Sequence, residues 1–195
     1  MKLTFYDGVK TVGGNKIVLE ADGTNLLLDF GTNFSKVNLY FDEFMQPRLG
    51  KGILDLLELD ILPPLQGLFR PDLELEGIWE RKKNHPFWRE IVIDAILLSH
   101  SHLDHAGFLR FLRADVPIYS SLETALILKV TQDTGKDDGY YFFQERTINE
   151  EGHLKKESKK NGSKITGEGF VSLKKTLREK KNGRKPTIRT PLRKV

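Results

Sequence analysis

Three of the chain's five histidines and one aspartate fall within six positions, His100-Ser101-His102-Leu103-Asp104-His105. In an extended segment residues two apart point to the same side, so His100 and His102 can present their imidazoles to one metal ion. If the backbone then turns into a helix beginning near Ala106, Asp104 and His105 sit at the turn and face a second ion. A carboxylate and three imidazoles without sulfur suit zinc, and manganese or iron is compatible with the same set. Two ions held in this way would acidify a bridging water and make hydroxide available for hydrolysis near neutral pH. The competing reading is a solvated polar turn. Four potential ligands in six residues, placed where an apolar strand ends, favour the metal.

Other chemistries find little support. The chain has no cysteine, which removes disulfides, thiolate nucleophiles and zinc-finger ligand sets. There is no Gly-x-Ser-x-Gly elbow, and Gly13-Gly14-Asn15-Lys16 lacks the spacing of a phosphate-binding loop. His153 lies among Glu151, Lys155 and Lys156 with no apolar strand leading to it and reads as part of a solvated loop, and His85, before Pro86, fits a linker.

The elements that must position the cluster follow from periodicity and turn signals. Strands are expected over 3–6, 16–20 and 25–30, separated by Gly13-Gly14 and Asp22-Gly23. The third ends in Leu28-Asp29-Phe30-Gly31, which makes Asp29 a site candidate, although Asp also commonly caps a turn where a strand stops. Residues 34–88 read as a Leu- and Pro-rich insertion of short elements, including an apolar helix over 53–59 that packs on the core. The run 91–98 is nearly continuous in apolar residues, the pattern of a strand buried on both faces, and leads directly into the histidines. A short helix over 106–113, a strand over 116–120 and a helix over 122–131 complete an alternation that implies an α/β layered domain.

Charge divides the chain. Residues 151–195 hold 15 Lys or Arg against four Glu, a local charge of +11, which leaves −7 for the first 150 within a net charge of +4. A basic stretch of this kind suits a polyanion, through release of counterions from a phosphate backbone, or serves as a solubilising tail. Phe170, Leu173 and Leu177, with Gly183 as a stop, predict one amphipathic helix within it. The N-terminus, Met1-Lys2-Leu3-Thr4-Phe5-Tyr6, meets Asp7 and Lys10 too soon to form a signal peptide or membrane span, so a soluble, cytoplasmic protein without membrane partners is expected.

The motif His-x-His-x-Asp-His after an apolar strand resembles the second motif of the metallo-β-lactamase fold. Phe5-Tyr6-Asp7-Gly8-Val9, Val12-Gly13-Gly14-Asn15-Lys16 and Leu28-Asp29-Phe30-Gly31 resemble the opening of its β-CASP, ribonuclease J-like branch, and the similarity continues through Val116-Pro117-Ile118-Tyr119 to about Tyr141. The resemblance implies an αββα sandwich of which this chain carries the N-terminal half, over 1–141, followed at 142–195 by a basic, partly disordered insertion or tail. It further implies that His100 and His102 bind one zinc and that Asp104 and His105 bind the other. Asp104 and Asp29 are then the carboxylates of the catalytic centre, Asp29 supporting the site from beside it. The branch also uses a third-motif histidine, a bridging aspartate and a late histidine, and none has a match before Val195. A second chain or a further C-terminal segment would have to supply them.

The activity these expectations describe is metal-dependent hydrolysis of RNA, with Lys155, Lys156, Lys159, Lys160, Lys174, Lys175 and Arg178 as candidate contacts to the phosphate backbone. The alternatives are a small-molecule hydrolase of the same fold, acting on a lactone, thioester or lactam, and a catalytically silent RNA-binding or assembly module.

Overall fold

The computed structural model describes residues 1–134 and 170–172. The candidate nucleic-acid contacts from Lys155 to Arg178, together with His153, Leu173, Leu177 and Gly183, lie outside the described residues.

The chain opens as a meander of three antiparallel strands, β1 (Lys2–Asp7), β2 (Lys16–Ala21) and β3 (Thr24–Phe30). The β2–β3 turn is tight because Asp22 and Gly23 both adopt positive φ, 49° and 78°, which matches the twist of the strands they join. The Leu- and Pro-rich segment then supplies α1 (Phe34–Tyr40), α2 (Leu54–Glu58), a two-residue strand β4 (Leu65–Gln66) and α3 (Ile78–Lys82), and just beyond it β5 (Arg89–Glu90) pairs with β4 in parallel. The α/β part resumes with β6 (Ala95–Leu97), α4 (Leu103–Ala106), β7 (Ile118–Ser120) and α5 (Leu122–Thr134), and β8 (Phe170–Ser172) closes the described chain. The main sheet runs β1-β2-β3-β6-β7-β8, antiparallel across its first three strands and parallel from β3 onward. It is a mixed α/β fold.

One sheet face is the core. Val18, Leu27, Ile96, Leu98 and Ile118 are buried there with Phe30, and the insertion seals them with Leu56 and Leu57 of α2, Leu62, Leu68, Phe69 and Trp79. Phe69 stacks on Trp79 at 6.1 Å between ring centroids and tilts against Phe30 at 6.2 Å. The helix expected over 53–59 packs on the core, through Leu56 and Leu57 of α2. The other face is also apolar. Strand register aligns Leu3 with Leu19, Phe5 with Ile17, Ile17 with Leu28, Leu28 with Leu97 and Leu97 with Tyr119. These side chains are half-buried or exposed, Phe5 at 54% and Leu97 at 37%. Among the described residues there is one large sheet, not two.

Three expectations are corrected. The run 91–98 is a strand only over Ala95–Leu97, and its burial alternates, with Val92 67% exposed, because only one face of the sheet is sealed. The helix expected over 106–113 starts earlier, at Leu103, and ends at Ala106, followed by a separate 3-10 turn, Leu109–Phe111. A tertiary contact breaks it: the carbonyl of Asp104, which a continuing helix would offer to Phe108, accepts from Gly14 N at 2.7 Å, and Phe108 N donates to Phe30 O instead. Finally, Phe170 begins a strand rather than a helix, because the edge of β7 offers an unpaired ladder that Phe170–Ser172 extends in parallel.

Candidate metal centre

Three chain segments meet at the carboxyl ends of β3 and β6. Gly14 N donates to Asp104 O at 2.7 Å, Gly31 N to Asn15 O at 3.0 Å and Thr32 N to Leu103 O at 2.9 Å, so the β1–β2 loop, the end of β3 and α4 are bonded to one another through their backbones. Such close approach excludes side chains. A Cβ on Gly31 would lie 1.6 Å from Asp104 O, and one on Gly13, at φ 74°, would lie 2.4 Å from the Asp104 carboxylate.

Asp29 enters this junction at a bulge. Lys16 pairs with Phe30 and Ile17 with Leu28, so Asp29 has no partner opposite it, and its φ of 54° is left-handed. The carboxylate that results is almost fully employed. Oδ1 accepts from Ser99 N at 2.8 Å, and Oδ2 accepts from Ser99 Oγ and from His105 Nδ1, each at 2.8 Å. With the Nδ1 proton of His105 given to Asp29, Nε2 keeps its lone pair, and it lies 3.6 Å from Asp104 Oδ2. Two ligand atoms on a tetrahedral zinc at ordinary bond lengths stand about 3.3 Å apart. The pair is therefore spaced for a common ion.

His100 completes the group, since one donor atom from each of His100, Asp104 and His105 lies within 4.8 Å of the others. All three are half-buried, which leaves room for substrate or solvent as a further ligand. The His100 ring is 4.0 Å from that of His105 and 4.7 Å from that of His102, centroid to centroid. His102 is exposed and stands beside the three-donor group rather than within it. Asp104 and His105 are on α4, not in a turn ahead of it, and their adjacency in the first turn brings a donor atom of each within 4.8 Å of one from His100.

Beneath the junction Lys16, 1% exposed, donates to Asp7 Oδ2 at 3.2 Å and Gly14 O at 3.1 Å, with its ammonium near the Phe30 and Phe108 rings. Burial pulls its amine down to about 8 despite the attraction of Asp7. Asp7 also pays for burial, but Lys16, the amide of Asn33 and Lys36 outweigh that and hold it below the usual carboxylate range. The cluster fixes both ends of the β1–β2 loop that carries Gly13, Gly14 and Asn15.

The sequence-predicted residues Asp29, His100, Asp104 and His105 thus converge, with His102 alongside. The junction also contains Ser99, Asn15 and Gly31, which residue type alone does not single out. Asn15 approaches His105 Nδ1 to 3.3 Å, and Ser99 lies 2.9 Å from His100 Nδ1. Asn15 and Gly31 are signalled by their place in Val12-Gly13-Gly14-Asn15-Lys16 and Leu28-Asp29-Phe30-Gly31, and Ser99 only as the hydroxyl just ahead of the first histidine.

No protein-family model matches the chain. It is similar to the transcription termination factor FttA of Pyrococcus horikoshii, 25% identical over 152 residues, and to that of Pyrococcus abyssi, 24% identical over 152 residues. Each match takes in 72% of this chain and 18% of the relative, so the chain spans less than a fifth of those proteins. Among solved structures, a protein of unknown function from Enterococcus faecalis superposes with a TM-score of 0.51 at 28% identity, covering 73% of this chain and 30% of that one.

Proposed function

From the likeness to transcription termination factors and the donor cluster together, we propose that this chain is the N-terminal part of a β-CASP-type, metallo-β-lactamase-fold hydrolase that cleaves RNA phosphodiesters with divalent metal, zinc before manganese or iron. The observation that carries this reading is the convergence of His100, Asp104 and His105 over Asp29 at the carboxyl ends of parallel strands, where open α/β sheets bind their ligands. His100, Asp104 and His105 would hold one ion, and His102 is the donor available to a second. When bound, such ions supply Lewis acidity for attack of water on the phosphodiester. The chain's own part is to hold the donors: Asp29 orients His105, and the backbone bonds from Gly14 and Thr32 seat α4. The apolar second face of the sheet supports an αββα sandwich, because a sheet packed face to face on another needs an apolar face on each side. Remaining ligands, a histidine and a bridging aspartate, would come from a further segment or a second chain, and the basic residues from Lys155 to Arg178 would hold the RNA backbone.

The test is metal content of the purified chain by plasma mass spectrometry beside a His100→Ala, His102→Ala variant, followed by cleavage of end-labelled RNA. Bound zinc that is lost in the variant, with cleavage lost alongside it, is the expected result. Zinc retained in full by the double variant would sink the metal reading. A second reading is favoured by the relatives' being termination factors: a catalytically silent RNA-binding module acting in transcription. It predicts RNA binding without cleavage, unchanged by the same double substitution.

A further inference from the structure

We propose that Ser99 is a positioning residue of the metal centre, relaying the Asp29 carboxylate to His100 so that a single carboxylate sets the tautomer of both imidazoles. The inference rests on reading His100, Asp104 and His105 as metal ligands. Its substance is a chain of hydrogen bonds. Ser99 Oγ stands 2.8 Å from Asp29 Oδ2 and 2.9 Å from His100 Nδ1, with a longer approach of 3.4 Å to His105 Nδ1. A hydroxyl has one proton to give. A carboxylate is the stronger acceptor of the two, so the proton goes to Asp29, and Oγ is left to accept. His100 then carries its proton on Nδ1, donates it to Ser99 Oγ, and keeps the lone pair on Nε2.

His105 reaches the same state directly, through Nδ1 and Asp29 Oδ2 at 2.8 Å. Without Ser99 the two histidines would differ: His105 would stay fixed, while His100 would lose the only protein partner that the structure gives its Nδ1 among the described residues. A free imidazole in water exchanges between tautomers and ring orientations, and a ligand that must first be selected binds more weakly. The backbone of Ser99 is tied independently, its N–H donating to Asp29 Oδ1 at 2.8 Å, so that removing the hydroxyl does not release the segment. Ser99 is exposed, and Ser99→Ala leaves no buried polar group unpaired.

The experiment uses the full chain with Ser99→Ala and Ser99→Thr. Long-range proton–nitrogen spectra of the histidine rings, recorded on metal-free protein at a pH where the rings are neutral, report the tautomers. Competition with a chromophoric chelator reports zinc affinity. His100 and His105 are expected to be Nδ1-protonated in the wild type. Ser99→Ala should mix the tautomers at His100 while sparing His105, and should weaken zinc about 10-fold, the lower end of what lost supporting contacts cost. Ser99→Thr, which restores the hydroxyl, should recover both. If the wild type binds zinc and Ser99→Ala changes neither the His100 tautomer nor the affinity, the relay is wrong and the metal centre stands. If the wild type and both variants alike fail to bind zinc, the metal reading falls and this inference with it.

Discussion

Gly31→Ala adds one methyl group at the place where β3 and α4 touch, and its cost can be worked from the contact. The new Cβ would lie 1.6 Å from the Asp104 carbonyl oxygen, 2.2 Å from its carbon and 2.6 Å from His105 N. Heavy atoms in ordinary contact stand roughly 3.5 Å apart, so the start of α4 has to retreat by about 2 Å. Retreat on that scale pulls apart Gly14 N to Asp104 O and Thr32 N to Leu103 O, now 2.7 and 2.9 Å. Each lost bond costs about 1 kcal/mol, and forcing volume into a packed site costs about 1–3 kcal/mol more. The expected destabilisation is about 3–5 kcal/mol by urea unfolding. On the proposed metal reading zinc affinity should fall about 100-fold, because two of the three clustered donors move with the helix. Gly23→Ala is the comparison: φ is 78° but nothing lies within 4 Å, so strain of about 1 kcal/mol is expected with zinc binding intact. If Gly31→Ala is no more destabilising than Gly23→Ala, or binds zinc like the wild type, close contact between β3 and α4 does not hold the centre.

His100→Ala should cost more zinc affinity than His102→Ala, by about 10-fold in chelator competition, since His100 belongs to the three-donor group and His102 stands beside it; equal losses would mean that the bound state rearranges. Glu20 is held down at about 2 by its hydrogen bonds and attraction to Arg89, which tie β2 to β5, and its stabilisation is therefore present above the ordinary carboxylate value of 4.5 and lost as pH falls toward 2. Glu20→Gln should lower stability at pH 7 by about 1 kcal/mol, a figure reduced because both groups remain partly solvated. The gap from wild type should close in acid, and a gap independent of pH would show that packing rather than charge is involved.

The parts of the fold that were legible in the sequence are those decided locally. The first three strands announce themselves through short apolar runs bounded by Gly13-Gly14 and Asp22-Gly23, and the cluster of His and Asp side chains through residue type and spacing. What could not be read depends on partners far along the chain. Nothing local ends α4 at Ala106; the Asp104 carbonyl is taken by Gly14, some 90 residues earlier. The apolar run 91–98 does not disclose which of its faces will be sealed, because that depends on the insertion covering one side of the sheet. Phe170 has helical spacing to Leu173 and Leu177, yet the waiting edge of β7 determines its conformation. Ser99 and Asn15 are ordinary polar residues until β3 and β6 align and bring them against Asp29 and His105.

Asp29 itself shows why the site sits where regularity fails. As a regular residue of β3 it would pair across to β2, but at the bulge it pairs with nothing and turns its carboxylate toward Ser99 and His105. The left-handed φ of 54° costs about 1–2 kcal/mol for a residue with a side chain, and Asp tolerates it better than most. Against that stand three hydrogen bonds to an ionised acceptor, each contributing about 1.5–3 kcal/mol, so the bonds outweigh the strain. Relief of strain alone therefore cannot rescue a substitution here. Glycine at 29 fits the backbone at no cost and still leaves His105 without its anchor and Ser99 without its acceptor, so Asp29→Gly should be less stable than the wild type and weaker for zinc. A more stable Asp29→Gly would mean that the bulge, not the carboxylate, is what this corner of the fold requires.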